Sequence, residues 1–147
     1  MARYLELFSK KYEAILDRID FHLINNSDVD ADIIFQPVVS EKIAVSKREK
    51  DKVYFEVART VGFDPEGIYE LTVQFNVIAS TENEAALGAI SDNDLIRLIG
   101  RDRNSFLFSV LSRISLLAAQ ITSANGEDPI ILPPIMLNTD EDKQAGQ

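Results

Sequence analysis

The sequence predicts an α+β fold: a four-stranded antiparallel sheet, then a short helix, then one long apolar helix near the C-terminus. Three observations predict it. Residues 53–77 alternate apolar and polar side chains with a period of two on either side of a turn. Beyond residue 91 the apolar period becomes three and four. The long apolar run then meets "PIILPP", which suits neither helix nor central strand.

The clearest element is "VYFEVARTVGF", where Val53, Phe55, Val57, Val61 and Phe63 share one parity against Tyr54, Glu56, Ala58 and Thr60. "FDPEG" follows as a type I turn pattern, and Tyr69, Leu71, Val73, Phe75 and Val77 then repeat the alternation, so the two strands form a hairpin with one apolar face. Upstream, Ile33, Phe35, Val39, Ile43 and Val45 share a parity, and Pro37 assigns that strand to an edge or a bulge. In "YEAILDRIDFHLINN" the positions Phe8, Tyr12, Ile15, Leu16 and Ile19 fit helical spacing, whereas Ile19, Phe21 and Leu23 fit a strand. A short helix running into a strand near residues 20–25 is expected there.

Ser91 with Asp94 three residues on resembles a capping box, so "SDNDLIRLIG" is expected to be a short helix stopped by Gly100. From Asn104 onward, Leu107, Val110, Leu111, Ile114, Leu117, Ala118 and Ile121 form one stripe, ended by Asn125-Gly126. Phe106, Phe108 and Leu116 lie off that stripe, so the helix is expected to bury a second face by self-association. Ile131 and Leu132 sit in the proline-rich segment, which is expected to lie extended across apolar surface. Residues 138–147 form a polar tail, residues 1–20 a variable N-terminal segment, and all 147 residues are read as one domain.

Bulk composition narrows the function. There is no cysteine, which excludes disulfides, thiolate metal sites and cysteine nucleophiles. The N-terminus carries charges throughout, unlike a signal peptide, and no run of about 18 apolar residues is evident, so a cytoplasmic protein without membrane insertion is expected. In that setting Asn25-Asn26-Ser27 has no meaning as a glycosylation site. A net charge of -9 disfavours nucleic acid and favours basic partners.

Chemical motifs are scarce. His22 is the only histidine and has no nucleophile pattern around it. Asp28, Asp30 and Asp32 copy the first ligands of a calcium loop, but Ile33 stands where glycine is needed and Val39 where a bidentate glutamate is needed. No phosphate-binding glycine loop exists, and Glu82, Glu84, Asp92 and Asp94 read as helix N-terminal charges. No catalytic residue, metal or cofactor is expected.

In order and spacing the chain from Phe21 to Pro134 resembles the SecB family of export chaperones. Asn104, Leu107 and Phe108 stand where that family opens its long helix with an Asn-Ile-Leu-Phe-type motif, and Ile114-Ser115-Leu116-Leu117 stands for its Ile-Ser-x-Leu element. Gly126, Pro129, Leu132, Pro133 and Pro134 stand for its glycine turn and proline stretch, and Gln36-Pro37 and "VYFEVARTV" have counterparts. Ser109-Val110-Leu111-Ser112 replaces the family's Pro-Tyr-Ala-Arg run, and a short polar tail replaces its closing helix.

The resemblance implies a homotetramer, a dimer of dimers with long helices packed together. It also implies an ATP-independent holdase that binds non-native polypeptides for export, in partnership with the SecA translocation motor, or one dedicated to a single partner such as an antitoxin. The replaced closing helix puts the SecA contact in question. Phe35, Phe55, Phe75, Phe106, Phe108, Leu116, Ile131 and Leu132 are the candidates for client groove, oligomer interface or core. A purely structural assembly protein and a small carboxylate enzyme are the alternatives.

Overall fold

A computed structural model describes residues 3–24, 32–124 and 129–134. The Asp28/Asp30 repeat, Asn25-Asn26-Ser27, Asn125-Gly126 and the polar tail lie outside the described residues. The elements are α1 (Tyr4–Leu7), β1 (Tyr12–Leu23), β2 (Gln36–Arg48), β3 (Lys52–Asp64), β4 (Tyr69–Ser80), α2 (Glu84–Gly88), α3 (Asp92–Arg101) and α4 (Leu107–Ala124). The four strands form one antiparallel sheet in the order β1-β4-β3-β2, with the helices on one face. This is the architecture that the alternating period and its later change predict.

β1 corrects the helical reading of residues 12–19. It is a strand throughout, paired with β4 from Tyr12–Ala79 to Leu23–Tyr69. The register slips between Leu16 and Arg18, a bulge that inserts Asp17 and shifts the inward set from even to odd residues. Tyr12, Ala14 and Leu16 face inward before the slip, and Ile19, Phe21 and Leu23 after it, because their partners are the inward residues of β4. The resulting Tyr12, Leu16, Ile19 spacing of four and three imitates a helix.

β2 is the other edge, as Pro37 requires, but it begins at Gln36, so Ile33 and Phe35 precede it. The connection from β3 to β4 is wider than the tight type I turn expected. Pairing between them ends at Val61–Leu71, the Asp64–Pro65 bond is cis, and Ile68 takes a φ of 64°.

Ser91 caps α3, its Oγ accepting from the Asp94 N–H at 3.2 Å. The helix continues through Gly100 to Arg101 rather than stopping at the glycine. Its end is set by Asp102, whose N–H bonds to the Leu98 carbonyl and whose carboxylate accepts from the Tyr4 and Asn104 N–H groups at 2.7 and 2.9 Å. Asn83 caps the additional short helix α2. Arg48, on β2, holds the α2–α3 junction by donating to the Leu87 and Ile90 carbonyls and pairing with Asp92.

α4 packs mainly on β4 and β3 through Leu107, Val110, Leu111, Ile114 and Ala118. Phe106 meets Phe55 at 5.2 Å and Ser115 meets Arg59 at 3.4 Å. Nine helix residues at about 1.5 Å and four strand residues at about 3.3 Å cover the same ~13 Å, so α4 runs along β3 in the same direction. By length and composition α4 is apolar enough to cross a membrane, which corrects the expectation that no such run exists. Its sheet-facing stripe is part of the protein core.

Phe106 corrects the assignment of surplus apolar surface to the helix start. It precedes the helix and is buried, ringed by Tyr4, Tyr12 and Phe55 at 5.2–6.2 Å between ring centres. The cover is the N-terminal segment itself, which the Asp102 clamp on Tyr4 draws over the helix start. Burial pushes the Tyr4 phenol far above its usual pKa, while the bond from the Tyr4 N–H holds the Asp102 carboxyl below its own.

Candidate functional site

The helix layer covers the middle of the sheet and leaves one edge open. Along β3 and β4 the inward residues Val53, Phe55, Val57, Leu71, Val73 and Val77 are buried. On β1 the same face presents Leu16, Ile19 and Leu23 with 44%, 43% and 68% of their surface exposed. Between them Phe21 is half-buried against the Tyr69 ring at 5.4 Å, and Tyr69 meets Phe63 edge-on at 5.0 Å. The result is an apolar strip one strand wide with an aromatic floor at its Phe21 end. Its length follows from β1's extended backbone, about 3.3 Å per residue from Leu16 to Leu23, or roughly 20 Å with the bulge.

Two other exposed strand aliphatics do not extend this strip. Ile15 and Val38 point to the opposite face, on the two different edges of the sheet. Single exposed apolar side chains of that kind are ordinary. A consecutive inward set left open on one strand is not.

The other side of α4 is occupied by the proline-rich segment. Ile130 donates its N–H to Thr122 Oγ1 at 3.0 Å, Leu132 inserts into the core, and the Pro133 carbonyl accepts from Arg59 Nη1 at 2.6 Å. The segment thus runs back along the helix that precedes it, extended as the prolines require. Ile131 points outward and is 80% exposed.

Arg59 is held at this place by Glu41, directly opposite it in the β2–β3 register, through a 2.9 Å bond from Nε. Both side chains are almost wholly buried. Two charges removed from water hold together only with close geometry and further hydrogen bonds, and Arg59 has these in the Pro133 carbonyl and Ser115 Oγ.

The residues singled out in the sequence are distributed over several environments. Phe55, Phe75 and Phe106 belong to the core, as does Leu132. Phe35 and Phe108 are half-buried. Leu116 is 61% exposed on the side of α4 away from the sheet, and Ile131 is exposed beside the buried Leu132. The structure therefore brings none of the buried aromatics to a surface groove and sets Leu116 and Ile131 apart from them.

The sequence reading missed Leu16, Ile19 and Leu23 as a surface, and Arg59 with Glu41 as a buried pair. The pair was visible in principle. Arg59 falls on the inward parity of Val57 and Val61, and Glu41 on that of Val39 and Ile43.

His22 is exposed on β1, paired in register with Glu70 on the face away from the helices. Among the described residues no three of His, Cys, Asp and Glu gather as metal ligands. Asp92 and Asp94 serve the first turn of α3, and Glu84 that of α2.

Comparison with known proteins bears on the fold. No protein-family model matches the chain, and no curated protein matches it in sequence. A solved structure that is similar is the SecB-like chaperone Rv1957 of Mycobacterium tuberculosis, in complex with a ChAD peptide from the HigA1 antitoxin Rv1956. Its TM-score is 0.57 at 10% identity, with 82% of this chain and 85% of that one covered. The fold is SecB-like. A protein of unknown function from Streptococcus agalactiae aligns over 83% of this chain and 94% of its own at 10% identity, with a TM-score of 0.41, too distant to carry an argument.

Proposed function

We propose that this chain is an ATP-independent holdase that binds extended, non-native polypeptide. The observation that carries the reading is the open inward face of β1, where Leu16, Ile19 and Leu23 offer a strand-length apolar strip that the described helices leave uncovered. Such a strip recognises apolar side chains of any sequence and needs no reaction to do so.

Magnitude shapes the proposal further. Fully burying one such side chain is worth roughly 1.5–3 kcal/mol, so covering the exposed halves of three contributes about 2–4 kcal/mol. On its own that corresponds to a Kd of about 1–30 mM. Useful affinity therefore requires several strips engaging one client, which an oligomer supplies through effective concentration. The exposed Leu116 on the outer side of α4 is the face for helix-to-helix assembly, and a dimer of dimers in the cytoplasm is the assembly proposed.

A dedicated client is favoured over general export by one observation, that a SecB-like chaperone of similar fold is seen with a peptide from an antitoxin. An antitoxin segment that is apolar and extended is the client type proposed for this chain. Service to the export pathway through the SecA motor is the second reading.

The test is light scattering from a slowly aggregating client with and without the protein, beside its mass from sedimentation. Suppression at stoichiometric amounts without ATP, by a species of about four chains, is the expected result. A stable oligomer that leaves aggregation untouched would instead favour an assembly protein.

A further inference from the structure

We propose that the site over Arg59 and Thr122 is a second polypeptide-binding subsite, filled in the resting protein by the chain's own Pro129–Pro134 segment and opened when a client displaces it. The inference rests on the polypeptide-binding reading above and adds to it a masked site and its occupant.

The geometry is that of a bound peptide. The segment is extended, and two of its contacts are made through the main chain: the Ile130 N–H to Thr122 Oγ1 and the Pro133 carbonyl to Arg59 Nη1. Leu132 is the fully buried anchor, at 6% exposure, with Ile130 partly buried against the core and Ile131 between them left in solvent. Main-chain contacts with one apolar anchor are the terms on which an extended chain of variable sequence is recognised.

The receiving groups are built in advance. Arg59 is fixed by Glu41, so its Nη1 remains aimed at the place of the Pro133 carbonyl whichever chain supplies that carbonyl. Thr122 Oγ1 is likewise set by its bond to the Ala118 carbonyl at 2.8 Å.

Position links this subsite to the open strip. Glu41, Arg59, Val73 and Ile19 are successive register partners across the four strands, so Arg59 and Ile19 lie in one row on one face. Two strand spacings separate them, roughly 10 Å. A client seated on β1 is thus within a few residues' reach of the Arg59 subsite, with α4 between.

The occupant that would replace the segment is an extended stretch with a leucine-sized side chain one residue before a free carbonyl. Competition with a tethered self-ligand lowers the apparent affinity for a client by the fraction of time the site is open.

The experiment uses a permanently unfolded reduced and carboxymethylated α-lactalbumin as the probe and the full-length protein throughout. Amide hydrogen exchange at Ile130 is measured with and without saturating probe. Exchange is expected to accelerate when the probe binds, while amides of β1 are slowed. Ile130→Pro, which removes the segment's own N–H donor and leaves Thr122 in place, and Leu132→Ser, which removes the anchor, are each expected to bind the probe about tenfold more tightly by releasing the site. Wild-type protein that binds the probe with Ile130 exchange unchanged or slowed overturns the inference and leaves the holdase reading standing. Folded variants that bind no more tightly also overturn it. If neither wild type nor variants bind the probe, the holdase reading fails and the masked subsite with it.

Discussion

The row Glu41–Arg59–Val73–Ile19 crosses the sheet from edge to edge, and its two ends meet opposite fates. At the β2 end two charged side chains are sealed from water beneath α4 and the proline segment. At the β1 end an isoleucine is left 43% exposed. Composition alone would assign the charges to the surface and the isoleucine to the core. Cover decides instead: α4 lies along β3 and β4, its Ser115–Thr122 side carries the returning segment, and nothing described lies over the far half of β1. The lesson is that one end of the row is organised for stability and the other for contact.

The largest effect is expected from breaking the sealed end. Arg59→Ala or Glu41→Ala removes one partner of a buried ion pair and should cost about 3–5 kcal/mol in denaturant unfolding. Replacing both with apolar residues of similar volume should recover most of that loss. Phe55→Ala, in the centre of the core, is expected to cost a similar 3–5 kcal/mol and offers the reference for an ordinary cavity.

The exposed end should behave in the opposite way. Ile19→Ser removes a side chain that no described helix covers, so unfolding should change by only about 1 kcal/mol, while client binding weakens measurably. Leu116→Ser tests a separate surface, the outer side of α4. Sedimentation should show dissociation toward smaller species with the fold retained, and an unchanged mass would remove α4 from the oligomer interface.

The smallest effect concerns the N-terminal cover of Phe106. The Asp102 carboxyl lies below its ordinary value because the folded chain hydrogen-bonds its charged form, first through the Tyr4 N–H. Its contribution is present above the unfolded value of about 4 and is lost as pH falls through the lower folded value. Asp102→Asn should therefore lower the melting temperature slightly at pH 7 and flatten its decline below pH 4. An equally steep decline in the variant would assign the acid sensitivity elsewhere.

These elements also mark what the sequence made legible. The β3–β4 hairpin, β2 as an edge, α3 with its Ser91 cap and the α4 stripe all follow from local periodicity and turn chemistry, and the structure has them. β1 was obscured by a single bulged residue, which converts a period of two into spacings of four and three. The candidate strip was hidden for a different reason. Leu16, Ile19 and Leu23 read as inward residues like any others, and only the width of the helix layer, a tertiary quantity, determines that they stay open. Phe106 shows the converse, an apparent surplus that a distant segment covers.

The most direct test of the account is client binding by the Leu16→Ser, Ile19→Ser and Leu23→Ser triple variant, measured by fluorescence anisotropy of a labelled unfolded client beside thermal unfolding. Binding is expected to fall by about 30-fold or more, as the 2–4 kcal/mol assigned to the strip requires, while the variant keeps a cooperative unfolding transition. Undiminished binding by the folded variant would contradict it and remove β1 from the client site.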